Sequence, residues 1–281
     1  MRRVAQTLRV SRSQLHERLR HGSKARGAYR KNDDTALLEP VRRLVDERPT
    51  YGYRRIRALL NKERLQGALP RWNHKRIYRL MAQNGLLLQR YTGKPPGRAH
   101  EGKIITLHSN QRWTSDGFEI ACSNGEAVRV AFALDTCDRE VMAWCTSSIG
   151  ISGEMIRDLM LDAVERRFGA THTSQPVQWL SDNGSAYRAH ETIDFAIRLG
   201  LVPCFTPVRS PQSNGMAEAF VKTFKRDYVY VHDRPDAQTV VSQLPRWFED
   251  YNEIHPHKAL RLRSPRDFIR SLQQPAACPV G

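Results

Sequence analysis

Three acidic residues stand where a folded chain has little structural use for them. Asp116 lies in Trp113-Thr114-Ser115-Asp116-Gly117, within or at the end of a strand-like run. Asp182 follows the apolar run Val177-Gln178-Trp179-Leu180 and precedes Asn183-Gly184-Ser185, and Glu218 opens a helical segment after Ser210-Pro211-Gln212-Ser213-Asn214-Gly215. An acid at the C-terminal end of an apolar strand sits where α/β sheets place their ligands. Acids gathered from separate segments repel one another unless a cation joins them. An all-oxygen ligand set suits Mg2+, with Mn2+ as a substitute. Two such ions per active site, about 3.5–4 Å apart, would stabilise the attacking and the leaving oxygen of an in-line phosphoryl transfer. One would activate water or a 3′-hydroxyl, and the other would take the charge on the leaving 3′-oxygen. No protein nucleophile is then needed, and the chain has no GxSxG or Cys/His signature.

Lys222 and Lys225 follow Glu218 at i+4 and i+7 and share its helix face, while Ala217, Val221, Phe224 and Tyr228 form an apolar stripe. One helix thus offers a metal ligand and two phosphate grips. The alternative is a plain Glu–Lys pair on a solvated surface, worth a few tenths of a kcal/mol.

These residues need a sheet and covering helices to bring them together. Trp113 to Ile120, Ala127 to Leu134 and Glu140 to Thr146 read as three strands, followed by a helix over Ser152 to Phe168. A strand at Val177 to Leu180, a helix at Glu191 to Leu199 and a strand at Val202 to Phe205 come next. Helices over Asn214 to about Val231 and Asp236 to Asn252 complete the pattern. Strands in a meander, then strands alternating with helices, predict an α/β fold with a mixed sheet.

Upstream, residues 33–87 predict three helices. Leu37, Leu38, Val41, Leu44 and Val45 form the first; Ile56, Leu59 and Leu60 line the second, with Arg54, Arg55 and Arg57 toward solvent. The third is N-capped by Asn73, C-capped at Asn84-Gly85, and carries His74, Lys75, Arg76 and Arg79 in its first two turns. A basic, polar start to a helix that follows a tight turn has the form of a recognition helix in the major groove. The alternative is a small bundle with an ordinary solvated basic face. Residues 1–32 give a partial helix-turn-helix segment with Ser11 as N-cap, then a linker at His21 to Lys31. Residues 88–110, with Lys94-Pro95-Pro96-Gly97-Arg98, predict a second linker. Residues 111–270 form the α/β unit with a helical C-terminal extension, and 271–281 a tail.

Charge supports this division. Residues 1–110 hold 26 basic and 8 acidic residues, whereas 111–281 hold 19 and 21, so the formal +16 of the 281-residue chain resides in its first part. A basic module followed by a near-neutral one fits a DNA-gripping region joined to a working domain. The start has no apolar h-region, and no run approaches a membrane span, so no membrane association is expected. Five cysteines without a CxxC pair argue against a disulfide scaffold or a Cys-based zinc site, and the reading is an intracellular, reduced protein.

Glu218 follows Asp182 with 35 residues between them. This spacing, with Ser181-Asp182-Asn183-Gly184 and Ser210 to Glu218, resembles the DD(35)E core of retroviral-type integrases, and more closely the OrfB products of the bacterial insertion-sequence-three family. Pro49-Thr50-Tyr51-Gly52-Tyr53-Arg54-Arg55 and Asn73 to Met81 resemble that family's upstream helical domain. Tyr251-Asn252, His255-Pro256-His257 and Ser264-Pro265 resemble its C-terminal signature. The resemblance spans nearly the whole chain. It implies an RNase H-like integrase core preceded by an all-α helix-turn-helix-type region, with Asp116, Asp182 and Glu218 as the metal-binding catalytic triad. It implies a transposase that cuts and joins the inverted-repeat ends of its element, without a covalent protein–DNA intermediate. Expected DNA contacts are Arg54, Arg55, Arg57, Lys75, Arg76, Arg79, Asn183, Asn214, Lys222 and Lys225, the last matching a basic position that contacts terminal DNA in these enzymes. The partners implied are terminal-repeat and target DNA, the OrfA product or an OrfA–OrfB frameshift fusion, and further copies of the chain on DNA, in the cytoplasm and associated with the nucleoid. Two departures stand out. Arg261-Leu262 occupies a place where the family often has Gly-Tyr, which bears on local turn geometry, and the His-His-Cys-Cys zinc domain of retroviral integrases is absent; His255 and His257 are expected to be structural. A DNA-binding regulator or inhibitor with an inert core, and a nuclease that only hydrolyses, are the competing readings.

Overall fold

A computed structural model describes residues 2–8, 10–21, 33–89, 106–206 and 214–273. The expected linkers and tail, and residues 207–213 before Glu218, lie wholly or largely outside the described residues. Two short helices, α1 (Arg2–Thr7) and α2 (Arg12–His21), come first. The helical unit follows as α3 (Asp34–Glu47), α4 (Tyr53–Gln66) and α5 (His74–Gln83). Asn73 caps α5 as its sequence predicts, its side chain accepting from Lys75 N at 2.8 Å. Leu37, Val41, Ile56, Leu60, Ile77 and Met81 close the core among these three helices.

The second unit is built on strands β1 (Arg112–Ala121), β2 (Ala127–Asp135), β3 (Val141–Ser147), β4 (Val177–Ser181) and β5 (Leu201–Phe205). They form one sheet in the order β3-β2-β1-β4-β5, with β1, β2 and β3 antiparallel and β4 and β5 parallel to β1. Parallel pairing requires crossovers. Helix α6 (Gly153–Phe168) lies between β3 and β4; α7 (Ser185–Arg188) and α8 (His190–Arg198) lie between β4 and β5. Ser152 caps α6, accepting from Met155 N at 3.2 Å, and Gly169 ends it at φ 66°, a left-handed position suited to glycine. After β5 come α9 (Gly215–Asp227), a short 3-10 turn at Val229–Val231, α10 (Ala237–Glu253) and α11 (Pro265–Gln273).

Alternation along β1 sends Trp113 to one face of the sheet and Phe118 and Ile120 to the other. Trp113 packs with Ile156, Leu159 and Val164 of α6 and Ala196 of α8. Phe118 joins Phe132, Phe220, Phe224 and Phe248, so α9 and α10 cover the opposite face with interlocked aromatic rings. A mixed sheet with helices on both faces is the RNase H-like arrangement the sequence predicts.

The helical unit docks on α9 to α11. Arg48 pairs with Asp250 (Oδ2 at 2.6 Å), Arg55 with Asp227 at 2.9 Å, and Lys62 with Asp267 at 2.6 Å. Tyr51 shares a 2.7 Å hydrogen bond with Nδ1 of fully buried His255. His257 is buried beside it, so both histidines serve the interior, as expected. Burial, with the neighbouring arginines, holds His255 well below the usual imidazole range and His257 at about 3, so both are neutral. The turn after them places Arg261 at φ 56° and Leu262 at φ 63°. Two consecutive non-glycine residues thus hold the left-handed conformation, which costs L-residues about 1–2 kcal/mol each and which glycine would adopt freely.

Candidate active site and DNA-facing surface

The parallel register of β1 and β4 sets the first two acids side by side. Thr114 pairs with Leu180, so two residues further along each chain stand Asp116, still within β1, and Asp182, just beyond the end of β4. Asp116 lies on the α9 side of the sheet, in the row of Thr114 and Phe118. Glu218 lies in the first turn of α9, which packs across β1. The three acids are therefore delivered by three different elements to one end of the sheet.

Each carboxylate is anchored locally. Asp116 accepts from Gly117 N at 2.8 Å, and Asp182 accepts from Gly184 N at 3.0 Å, which folds the Asp182-Asn183-Gly184 turn back on its own acid. Glu218 lies 3.5 Å from Lys222. Burial raises the Asp116 carboxyl to about 6, and the charges of Asp182 and Glu218 add to that shift. Among the described residues no basic side chain forms an ion pair with Asp116. An oxygen-only donor set whose central member is strained by neighbouring negative charge fits a hard divalent cation. Among the described residues the carboxylates do not already converge into a three-ligand cluster, so holding an ion would require them to close up around it.

The Asp116 shift predicts a pH-dependent stability change. Its folded value lies above the ordinary 3.8, so the stability due to its proton is full below 3.8 and is lost as pH rises toward 6. Asp116→Asn should stabilise the metal-free protein at pH 8 by up to about 2–3 kcal/mol. The gain should shrink steadily as pH approaches 4. Urea unfolding across that range would read it, and a gain independent of pH would remove charge as the cause.

The expected DNA contacts divide by geometry. Lys222 is exposed on α9, and Lys225 lies with its ammonium 5.7 Å from the Phe118 ring centre, along the same helix line as Glu218. Arg54 and Lys75 are exposed. Arg55, by contrast, is paired to buried Asp227, and Arg76 and Arg79 both reach buried Asp34, at 2.9 and 2.6 Å. Arg57 is half-buried. Asn183 is spent on Thr206 O at 2.8 Å and on Arg188 at 2.9 Å, tying the end of β4 to the end of β5. Asn214 is 5% exposed. It accepts from the Thr114 hydroxyl and donates to Ser115 O at 3.3 Å, so the structure gives it a task inside the fold.

The fold and the comparisons agree on the class, an α/β RNase H-like core with a helix-turn-helix-like unit before it. Residues 107–211 and 199–265 match integrase core domains, and residues 31–94 match an HTH-like domain. Over 270 residues the chain is 52% identical to the transposase InsD for insertion element IS2 of Escherichia coli, covering 95% of this chain and 90% of that protein. The chain belongs to the insertion-element transposases with an integrase core. Among solved structures, a simian T-cell lymphotropic virus intasome chain is 15% identical with a TM-score of 0.49, covering 86% of this chain and 77% of its own. The catalytic core of BIV integrase is 19% identical with a TM-score of 0.42, covering 58% and 97%. A transposase of this class acts on DNA, and among the described residues no helix is long and apolar enough to cross a membrane.

Proposed function

We propose that Asp116, Asp182 and Glu218 are the catalytic triad of this transposase, cutting and joining the inverted-repeat ends of its element at one site. The observation that carries the reading is the β1–β4 register, which aligns Asp116 with Asp182 beneath the helix that bears Glu218. The three acids would hold divalent cations, Mg2+ with Mn2+ as substitute and two per site, which supply charge neutralisation at the attacking and leaving oxygens. The chain's own residues do the rest. Asp116 must give up its proton before it can bind a cation, Lys222 and Lys225 hold phosphates of the terminal strand beside Glu218, and the Asp182 turn fixes the floor of the site. Of the ten expected DNA contacts, Arg54, Lys75, Lys222 and Lys225 are the ones whose exposure or position best supports contact. Arg55, Arg76 and Arg79 hold the helical unit together and onto the core, Arg57 is half-buried, and Asn183 and Asn214 shape the site from within.

In the same reading residues 33–87 form the DNA-binding domain and 111–270 the catalytic unit. The protein works in the cytoplasm on nucleoid DNA, with further copies of itself and with an OrfA product or as an OrfA–OrfB fusion. The test supplies labelled terminal-repeat DNA with a free 3′-end, a target plasmid and either Mg2+ or a chelator, to the chain and to the fusion. Joined product that requires the metal is expected. Hydrolysis without joining would make the protein a nuclease, and binding with neither would make it a regulator.

A further inference from the structure

The two residues before Asp116 touch both of the other elements that bring an acid to the site. The Ser115 hydroxyl, on the α6 side of the sheet, lies 2.8 Å from the hydroxyl of Tyr187 in α7. Tyr187 packs beneath the Asp182 turn: its backbone N–H reaches Gly184 O at 3.1 Å, and a Cβ on Gly184 would lie 3.5 Å from its ring and 3.0 Å from the Asp182 carboxylate. On the opposite side of the sheet, the Thr114 hydroxyl donates to Asn214, and Asn214 donates back to Ser115 O. Asn214 is the residue from which α9 starts, four before Glu218. All four side chains are buried, Thr114 and Ser115 completely. A polar quartet placed inside a core is costly unless every member is satisfied, and this one is satisfied by bonds between the three acid-bearing elements.

We propose that Thr114 and Ser115, with Tyr187 and Asn214 as their two arms, are positioning residues that set the spacing of the three carboxylates and so the affinity of the site for its cation. The inference rests on the triad reading above. The Tyr187 arm fixes the Asp182 turn against β1, and the Asn214 arm fixes the start of α9 against the same strand. Asn214 then acts through Glu218 and not by touching DNA.

The experiment uses the full chain with Tyr187→Phe, Ser115→Ala and Asn214→Ala, and three readouts: Mn2+ binding by calorimetry, affinity for terminal-repeat DNA, and unfolding in urea. Each substitution should weaken Mn2+ binding about tenfold or more, the usual cost of losing an outer support of a metal site, with DNA affinity unchanged. Because the two hydroxyls partner each other, the Tyr187→Phe/Ser115→Ala double variant should lose no more than either single one. Joining activity should recover in part at saturating metal. Loss of stability with Mn2+ binding unchanged would make the quartet ordinary core and overturn the proposal. Weakened DNA binding by Asn214→Ala with metal binding intact would overturn the Asn214 arm. Asp182→Asn is the control: if it retains Mn2+ binding and joining, the triad reading itself fails, whereas loss there with a wild-type response from the quartet variants refutes this inference alone.

Discussion

Replacing Asp182 with Asn is expected to abolish both strand cleavage and strand joining, by about a thousandfold or more, while leaving the affinity for terminal-repeat DNA nearly intact. Asparagine keeps the size and the hydrogen bond to Gly184 N but removes the negative charge. Charge stabilisation of an in-line transfer is worth several kcal/mol, and each 1.36 kcal/mol is a factor of ten in rate. End binding should survive because the exposed cations, Arg54 and Lys75 on the helical unit and Lys222 on α9, are untouched. That binding should weaken steeply with salt, since each phosphate contact releases counterions. A metal-supplied assay on pre-processed ends separates the steps, and retained joining by the variant would remove Asp182 from the triad.

The charge surplus of residues 1–110 looks, on the sequence, like a DNA-binding surface. In the structure a good part of it is spent internally. Arg76 and Arg79 neutralise Asp34, Arg48 and Arg55 clamp the helical unit to Asp250 and Asp227, and Lys62 reaches Asp267. The consequence is a helical unit oriented by buried charge, with fewer arginines left to face a duplex than composition suggests.

That difference marks the limit of what local pattern can say. The strands, α6, α8 and α10 were legible because apolar period is local; Asn73 caps α5 as predicted, and Ser152 and Asp236, the residues at which α6 and α10 were expected to begin, prove to be their caps. The acids were legible because a strand that ends in Asp-Asn-Gly breaks the apolar pattern at a place where sheets put ligands. The partners of the arginines were not, since Arg55 meets an acid 172 residues away and Arg48 one 202 away. The partners of Asn214 were hidden for the same reason: the sequence offers it as a DNA contact, and its hydrogen bonds go to β1, 100 and 99 positions earlier. The four-residue α7 gave no period to detect, yet its Tyr187 is what links the Asp182 turn to Ser115.

The largest effect on stability is expected away from the site, at Arg167. Its guanidinium lies against three acids at the β2–β3 turn: Glu140 at 2.5 Å, Asp135 at 3.4 Å, and Asp138 in closest contact. The Asp135 and Asp138 side chains are almost wholly buried. Removing one member of such a cluster leaves buried charge without a partner, which costs about 3–5 kcal/mol. Arg167→Ala should therefore unfold at markedly lower urea concentration. Even with Arg167 present, burial and the neighbouring Asp138 charge hold the Asp135 carboxyl up, against the pull of the arginine. Without the guanidinium it must rise further. A carboxyl raised in the folded state contributes stability below its unfolded value and loses it as pH climbs through the folded one. The Arg167→Ala penalty should thus be greatest near pH 8 and shrink as pH falls toward 6, and unfolding measured at pH 5 and pH 8 would test that sign. An equal penalty at both would mean that Arg167 works by packing its stem, not by its charge. Arg167→Lys, which keeps the charge but cannot span three acids with one planar fork, should fall between the two.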